Sequence, residues 1–305
     1  MKTETIETTN KIKTSSILLV LASGCMWGCM GLLVRPLNEI GLKTMDICFL
    51  RGFVTFVVML VALLLFDRSA LKIRVKDIWC FIGTGAFSVS FFNFCYFKTI
   101  TLTSLSVAAV LLYTAPAFVM IMSSFLFKER MTGRKIVALA IAFMGCVLVS
   151  GVVGGGGTLN AKGLLVGLGA GFGYALYSIF GRCALQRGYS SLTITFYTFV
   201  FAMLTTIFMA DVSSIINIVE MQPGLSVYAV FMILFVTLFP YLCYTKGLSG
   251  MENGTASVIA SIEPVMATVI GVIIYKEKMT FVNAFGMILV LISIVILNSN
   301  NKRNR

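Results

Sequence analysis

The sequence predicts an all-α integral membrane protein of ten transmembrane helices, arranged as two inverted five-helix repeats. Three observations predict it: a charge-poor composition, ten apolar runs of spanning length, and an internal echo at a nearly fixed offset. Of 305 residues, 58% are hydrophobic and 12% charged, and the mean hydropathy is +0.97. Soluble domains carry about 25% charged residues, so half of a water-facing surface is missing. A soluble two-domain protein is excluded.

A membrane span needs about 20 mostly apolar residues. Eight runs supply this with no charge at all: 14–34, 78–97, 99–127, 136–161, 163–181, 188–210, 221–245 and 279–301. Two more qualify with few charges, 45–66 with Asp46 at its edge and Arg51 inside, and 253–275 around Glu263 alone. The first run follows a polar stretch with three lysines but is too long for the apolar core of a signal peptide. It reads as a retained helix.

Charge and cysteine usage narrow the function classes. The net charge of +12 suggests a nucleic-acid partner until it is divided by side. With the amino terminus in the cytoplasm, seventeen of the 24 lysines and arginines fall inside and six outside, leaving Arg51 within the membrane. That excess is the positive-inside rule, and no nucleic-acid partner is expected. There is no histidine, so zinc sites of the HExxH type and Ser-His-Asp triads are excluded. The eight cysteines form no CxxC pair and lie in or beside apolar runs, where cysteine acts as a small hydrophobe. No cofactor and no metal are expected.

The internal echo pairs Pro116-Ala-Phe-Val and Phe127-Lys-Glu-Arg-Met-Thr132 with Pro264-Val-Met-Ala and Tyr275-Lys-Glu-Lys-Met-Thr280, all at an offset of 148. An offset of 147 pairs Gly24 with Gly171, Trp27 with Tyr174, Arg35 with Arg182 and Gly41 with Gly188. The two copies are residues 1–152 and 161–305, joined by a Gly-rich connection at 153–160. Five helices per copy is odd, so the second copy enters the membrane upside down. Inverted repeats of this kind typify secondary transporters, whose substrate binds near the midplane where the repeats meet. Small residues at Gly163, Gly167, Gly171 and Ala175, and at Gly24 and Gly28, mark close helix packing.

The proline-centred helix with its Lys-flanked glutamate turn, the ten runs in two halves, and Arg51 in the second run resemble the EamA family of the drug/metabolite transporter superfamily. The resemblance covers about residues 16–298. It implies both termini in the cytoplasm, a plasma-membrane location, and export of amino acids, other metabolites or drugs. Members more often carry glycine before the turn glutamate than the Lys128 and Lys276 found here.

Glu263 is the most informative residue, because an ionised carboxylate at mid-bilayer is costly unless wetted or paired. It faces a cavity, where it binds a substrate ammonium or a coupling proton, or it pairs with Arg51 or a neighbouring helix end. Arg51 is expected to snorkel or pair structurally. Pro116 and Pro264 each remove a helix hydrogen bond, freeing carbonyls near positions 112 and 260 for a neighbour or a ligand. Trp27, Asn93, Tyr113, Tyr174, Tyr177 and Tyr241 are the remaining candidates for cavity lining, since buried tyrosine and tryptophan need a polar partner. Tyr96 and Tyr244 are assigned instead to the interfacial aromatic belt, Lys98 and Lys246 to anchoring, and Glu129 and Glu277 to helix capping and charge balance.

These readings favour a secondary transporter exporting a small polar or zwitterionic molecule, with amino acids first. No GxxxxGK[ST] loop is present to harness ATP. Export of lipophilic cations is the alternative. A lipid-modifying enzyme lacks an acid/base pair, and a non-transporting sensor or scaffold lacks a long extramembrane segment. The expected partners are a small-molecule substrate, a coupling proton and the lipid bilayer; a monomer suffices, and a dimer is compatible.

Overall fold

The computed structural model describes residues 2–152 and 160–298, with side chains over 14–152 and 160–297. The expected Gly-rich connection lies outside the described residues except at Asn160, as do Lys302, Arg303 and Arg305 of the charge count.

The described chain folds into helices. Eight are long and apolar enough to cross a membrane: α1 (Thr14–Glu39), α2 (Thr44–Phe66), α3 (Val75–Leu102), α4 (Leu105–Phe127), α6 (Ala161–Gln186), α7 (Ser191–Met209), α9 (Pro223–Leu248) and α10 (Asn253–Ile273). Between them lie α5 (Gly133–Val149) and the short α8 (Val212–Met221), and α11 (Phe281–Asn298) follows. The apolar run at 136–161 therefore yields a shorter helix than its length suggests. At about 1.5 Å per residue, the 17-residue α5 reaches about 26 Å, short of a ~30 Å hydrocarbon core. It stops because Gly151 turns the chain through a left-handed conformation at φ +74°. α5 and α11 lie against each other lengthwise, with Gly145 and Gly286 backbone to backbone. Helices are what an apolar medium demands, since each satisfies its own backbone donors and acceptors. Large apolar side chains such as Leu65, Phe125 and Phe208 cover the outside. The chain is a multi-pass membrane protein.

Several local features recur at the offset seen in the sequence. α4 breaks at Tyr113–Thr114 and α10 at Ser261–Ile262. α3 and α9 each contain a π-helical stretch, Gly83–Ser90 and Leu234–Leu238. Lys128 and Lys276 end α4 and follow α10 in left-handed backbone, at φ +54° and +56°. There a glycine would avoid the Cβ penalty of about 1–2 kcal/mol. Thr132 and Thr280 then each accept a backbone N–H three residues on, opening the next helix.

The glycines of α1 and α6 lie on the two broken helices. A Cβ on Gly24 would stand 2.9 Å from the Ala260 carbonyl oxygen and 2.5 Å from Ile262 Cγ2. One on Gly171 would stand 2.7 Å from the Leu111 carbonyl oxygen and 2.4 Å from Thr114 Oγ1. Gly28 is equally tight, its Cβ position 2.6 Å from the Glu263 carbonyl oxygen. Backbone cannot rotate away as a side chain can. Gly24→Ala and Gly171→Ala should each destabilise the detergent-solubilised protein by about 1–3 kcal/mol, read as a lower midpoint of thermal unfolding. Gly181→Ala, whose nearest neighbour would be Leu248 Cδ2 at 3.8 Å, should leave the midpoint unchanged or raise it through helix propensity.

Candidate functional site

At the α4 break, Thr114 N–H bonds the Leu111 carbonyl at 3.2 Å; at the α10 break, Ile262 N–H bonds the Ile259 carbonyl at 3.2 Å. These tight turns, with a proline just beyond, restart each helix in mid-span. The second half of α10 begins at Glu263, with Pro264 next. A carboxylate in the first turn of a helix faces the positive end of its dipole. The equivalent position in α4 is Ala115, so this acidic group has no counterpart in the first copy.

Glu263 Oε2 accepts a hydrogen bond from Tyr174 Oη at 3.2 Å. Tyr174 separates two small internal cavities. One, of about 20 Å³, is lined by Tyr113, Pro116, Ser257, Ser261, Glu263 and Tyr174 among others. The other, of about 10 Å³, is walled by Trp27, Phe92, Tyr174, Tyr177, Tyr241 and Tyr244, with Ser88 and Ser178. Each has room for about one water, so this is a closed conformation of the interior.

The aromatic wall is tightly interlocked. Trp27 stands edge-on to Tyr241 at 5.3 Å between ring centres and to Tyr174 at 6.2 Å, and Tyr177 meets Tyr241 at 4.9 Å. Tyr177 Oη pairs with Thr245 Oγ1 at 2.6 Å, and Tyr244 Oη with Ser178 Oγ at 2.7 Å. Of the sequence-derived candidates, Trp27, Tyr174, Tyr177 and Tyr241 meet in one cavity, and Glu263, Tyr113, Tyr174 and Pro116 in the other. Asn93 is buried, gives its amide to the Val89 carbonyl at 2.6 Å, and lines neither. Pro264, next to Glu263 in the chain, lines neither cavity. Tyr244, assigned to the interfacial belt, is 4% exposed and lines the aromatic cavity; its place near a helix end carried no information about which way it faces. Ser88, Ser178, Ser257 and Ser261 were also missed, because a small hydroxyl in an apolar run looks like packing.

Arg51 does not bond Glu263. Its Nε donates to Thr237 Oγ1, at 2.9 Å, inside the π-helical stretch of α9.

The two ends of the bundle are fastened differently. At one end, Glu129 accepts the backbone N–H groups of Asn253 (2.8 Å) and Gly254 (3.2 Å), capping α10 from the end of α4. Arg182 at the end of α6 holds the same turn, through Asn253 Oδ1 at 2.7 Å and the Met251 carbonyl. Lys135 and Glu252 pair alongside at 2.7 Å. At the other end, the matching residues Arg35 and Glu277 bond each other at 2.7 Å, with Arg35 over the Tyr275 ring. The start of α4 is capped by its own Ser104, whose hydroxyl accepts Val107 N–H at 3.2 Å.

Comparison with known proteins agrees with this architecture. The EamA-like transporter family model matches residues 14–151 and 161–299. An uncharacterized transporter of Clostridium kluyveri is 26% identical over 86% of this chain and 84% of its own. One of Archaeoglobus fulgidus is 29% identical over 74% and 79%, and the uncharacterized transporter YetK of Bacillus subtilis 25% over 78% and 73%. A solved crystal structure superposes with a TM-score of 0.75 at 17% identity, over 94% of this chain and 97% of that one. The chain belongs to the EamA-like transporter family. It is a membrane transporter.

The asymmetry of the ends has a measurable consequence. Glu129→Ala strips two backbone donors of their acceptor and should cost about 1–2 kcal/mol of stability. Glu277→Ala removes an ion pair whose side chains are about half exposed and should cost under about 1 kcal/mol. Thermal unfolding of the two variants in the same detergent compares them directly.

Proposed function

We propose that this chain is a secondary exporter of small polar or zwitterionic metabolites, amino acids first, working by alternating access between two inverted five-helix halves. The observation that carries the reading is the Glu263–Tyr174 hydrogen bond at the α10 break. It joins a residue of the second half's broken helix to the helix that packs on the first half's break, beside two polar-lined cavities. A molecule larger than water enters only when Tyr174 moves and the two cavities merge. Glu263 then takes the ammonium of the substrate, or a coupling proton when the site is empty.

The fastening of the ends supports alternation. In the proposed cycle, Glu277 and Arg35 leave each other and take the start of α4 as Glu129 and Arg182 now hold the start of α10, while the latter pair lets go. The positive-inside count supports both termini in the cytoplasm, the Glu129 end then facing the cytoplasm and the Glu277 end the outside of the plasma membrane in which we place the protein. The two successive matches to the family model support division into halves. One chain holds every cavity residue named, so a monomer suffices, and a dimer is compatible. A second reading, export of lipophilic cations, is favoured by the aromatic wall beside a single carboxylate, a setting that attracts cations.

Counterflow in proteoliposomes tests the reading. Labelled amino acids should show saturable exchange, and Glu263→Gln should reduce it at least tenfold or abolish its dependence on a pH gradient. Saturable uptake of quaternary ammonium dyes without amino-acid exchange would favour the second reading. Exchange indifferent to Glu263→Gln at every pH would remove Glu263 from the site.

A further inference from the structure

Among the described residues, no acidic group forms an ion pair with Arg51. A guanidinium keeps its charge at any physiological pH and presents five N–H donors. In a bilayer such a group is retained at a cost and pairs or lines a polar path. Arg51 sits seven residues into α2, about 10 Å along the helix from Thr44, too deep to be a surface residue. Its recorded contacts are neutral: the Thr237 hydroxyl at 2.9 Å and the Cys48 thiol on its own helix. Among the described residues, the recorded ion pairs engage Arg35, Arg74, Lys135 and Arg187, not Arg51. Asp46, the nearest acid on α2, is buried and already committed, its oxygens accepting the backbone N–H groups of Lys43 and Asp211 at 2.8 Å each.

Glu263 is the matching case of opposite sign, a carboxylate whose recorded partner is the neutral Tyr174 hydroxyl. The two charges are linked through the aromatic wall. Thr237 and Tyr241 lie one turn apart on α9, Tyr241 packs on Trp27, Trp27 on Tyr174, and Tyr174 bonds Glu263. Arg51 and Glu263 thus lie within electrostatic reach of each other, and both of Tyr241, without touching. Glu263 lines a cavity, whereas Arg51 lines neither and stands beyond Tyr241 of the aromatic wall; two opposite charges kept apart across that wall form a fixed dipole. The solute complementary to it carries an ammonium and a carboxylate on one small body.

We propose that Arg51 is the carboxylate-binding, specificity-determining residue of the central site, so that the substrate is an amino acid or a similar zwitterion bound between Glu263 and Arg51. This deepens the function proposed above and rests on it. The planar fork of the guanidinium accepts a carboxylate through two parallel hydrogen bonds, whereas a lysine at this place offers a point charge. The Thr237 hydroxyl holds the fork by Nε, and a substrate carboxylate, a far stronger acceptor than the Cys48 thiol, takes the terminal nitrogens.

The test compares zwitterions with their decarboxylated amines in the full-length protein. Proteoliposome counterflow and ligand-induced thermal stabilisation are measured for leucine and isopentylamine, phenylalanine and phenethylamine, and lysine and cadaverine. Wild type, Arg51→Gln, Arg51→Lys and Thr237→Val are compared at matched reconstitution. The proposal expects Arg51→Gln to raise the KM for the transported zwitterion at least tenfold while leaving kcat and the KM for any transported amine within twofold. Arg51→Lys should recover part of the affinity, and Thr237→Val should weaken zwitterion binding alone. Equal losses for zwitterion and amine, or unchanged zwitterion affinity, would overturn the role of Arg51 and leave the transporter reading in place. A wild type that moves amines but no zwitterion would overturn both the zwitterion reading and the role of Arg51. If Arg51→Gln does not fold, Arg51→Lys and Thr237→Val still decide through the same zwitterion-to-amine ratio.

Discussion

Backbone groups freed inside a bilayer have no water to turn to, and this protein frees them twice. Pro116 and Pro264 cannot donate to Leu112 and Ala260, so α4 and α10 break in mid-span. The breaks are held by helices that carry no side chain at the point of contact: Gly171 of α6 lies on the α4 break, and Gly24 and Gly28 of α1 on the α10 break. That close approach sets the positions of Trp27 and Tyr174, one turn or less along from those glycines. It thereby sets the aromatic wall and the hydrogen bond to Glu263. The rest of the interior is arranged around these two glycine-to-break contacts.

The same breaks shape the electrostatics. A helix restarted in mid-membrane offers its positive end to Glu263, which lowers the cost of a carboxylate there. Arg51, on the other side of Tyr241, makes its recorded bonds to uncharged groups. A cavity that holds about one water on either side of Tyr174 admits no metabolite as it stands, so in the proposed mechanism binding and rearrangement are one event. The ends of the bundle supply the means, since matching residues make different contacts at the two ends: Glu129 and Arg182 grip a helix start, while Glu277 and Arg35 grip each other.

Much of this was legible in the sequence, for physical reasons that differ by residue. A single acid in an apolar run stands out because it is expensive, and Glu263 does lie on a cavity. The helical class follows from composition, and the recurring features of α4 and α10 from the offset of 148. Helix lengths were less legible, because a run free of charge continues through Gly151 while the helix does not. Rotational position was not legible either. Tyr244 near a helix end points inward to Ser178, and Asn93 spends its amide on its own helix. Contacts across more than a hundred residues, such as Glu129 on Asn253 and Arg51 on Thr237, have no local signature at all. Glutamate at a turn reads as a cap for its own helix, and here it caps another.

The central claim is that the two ends of the bundle open in alternation around Glu263. The most direct measurement is a pair of spin-label distances by pulsed electron resonance in a cysteine-free background, in lipid. One pair, at Arg130 and Met251, reports the Glu129 end; the other, at Leu105 and Lys278, reports the Glu277 end. The account predicts that saturating substrate or a change of pH shifts population so that one distance lengthens as the other shortens. Two distances that stay fixed, or that lengthen together, would contradict it.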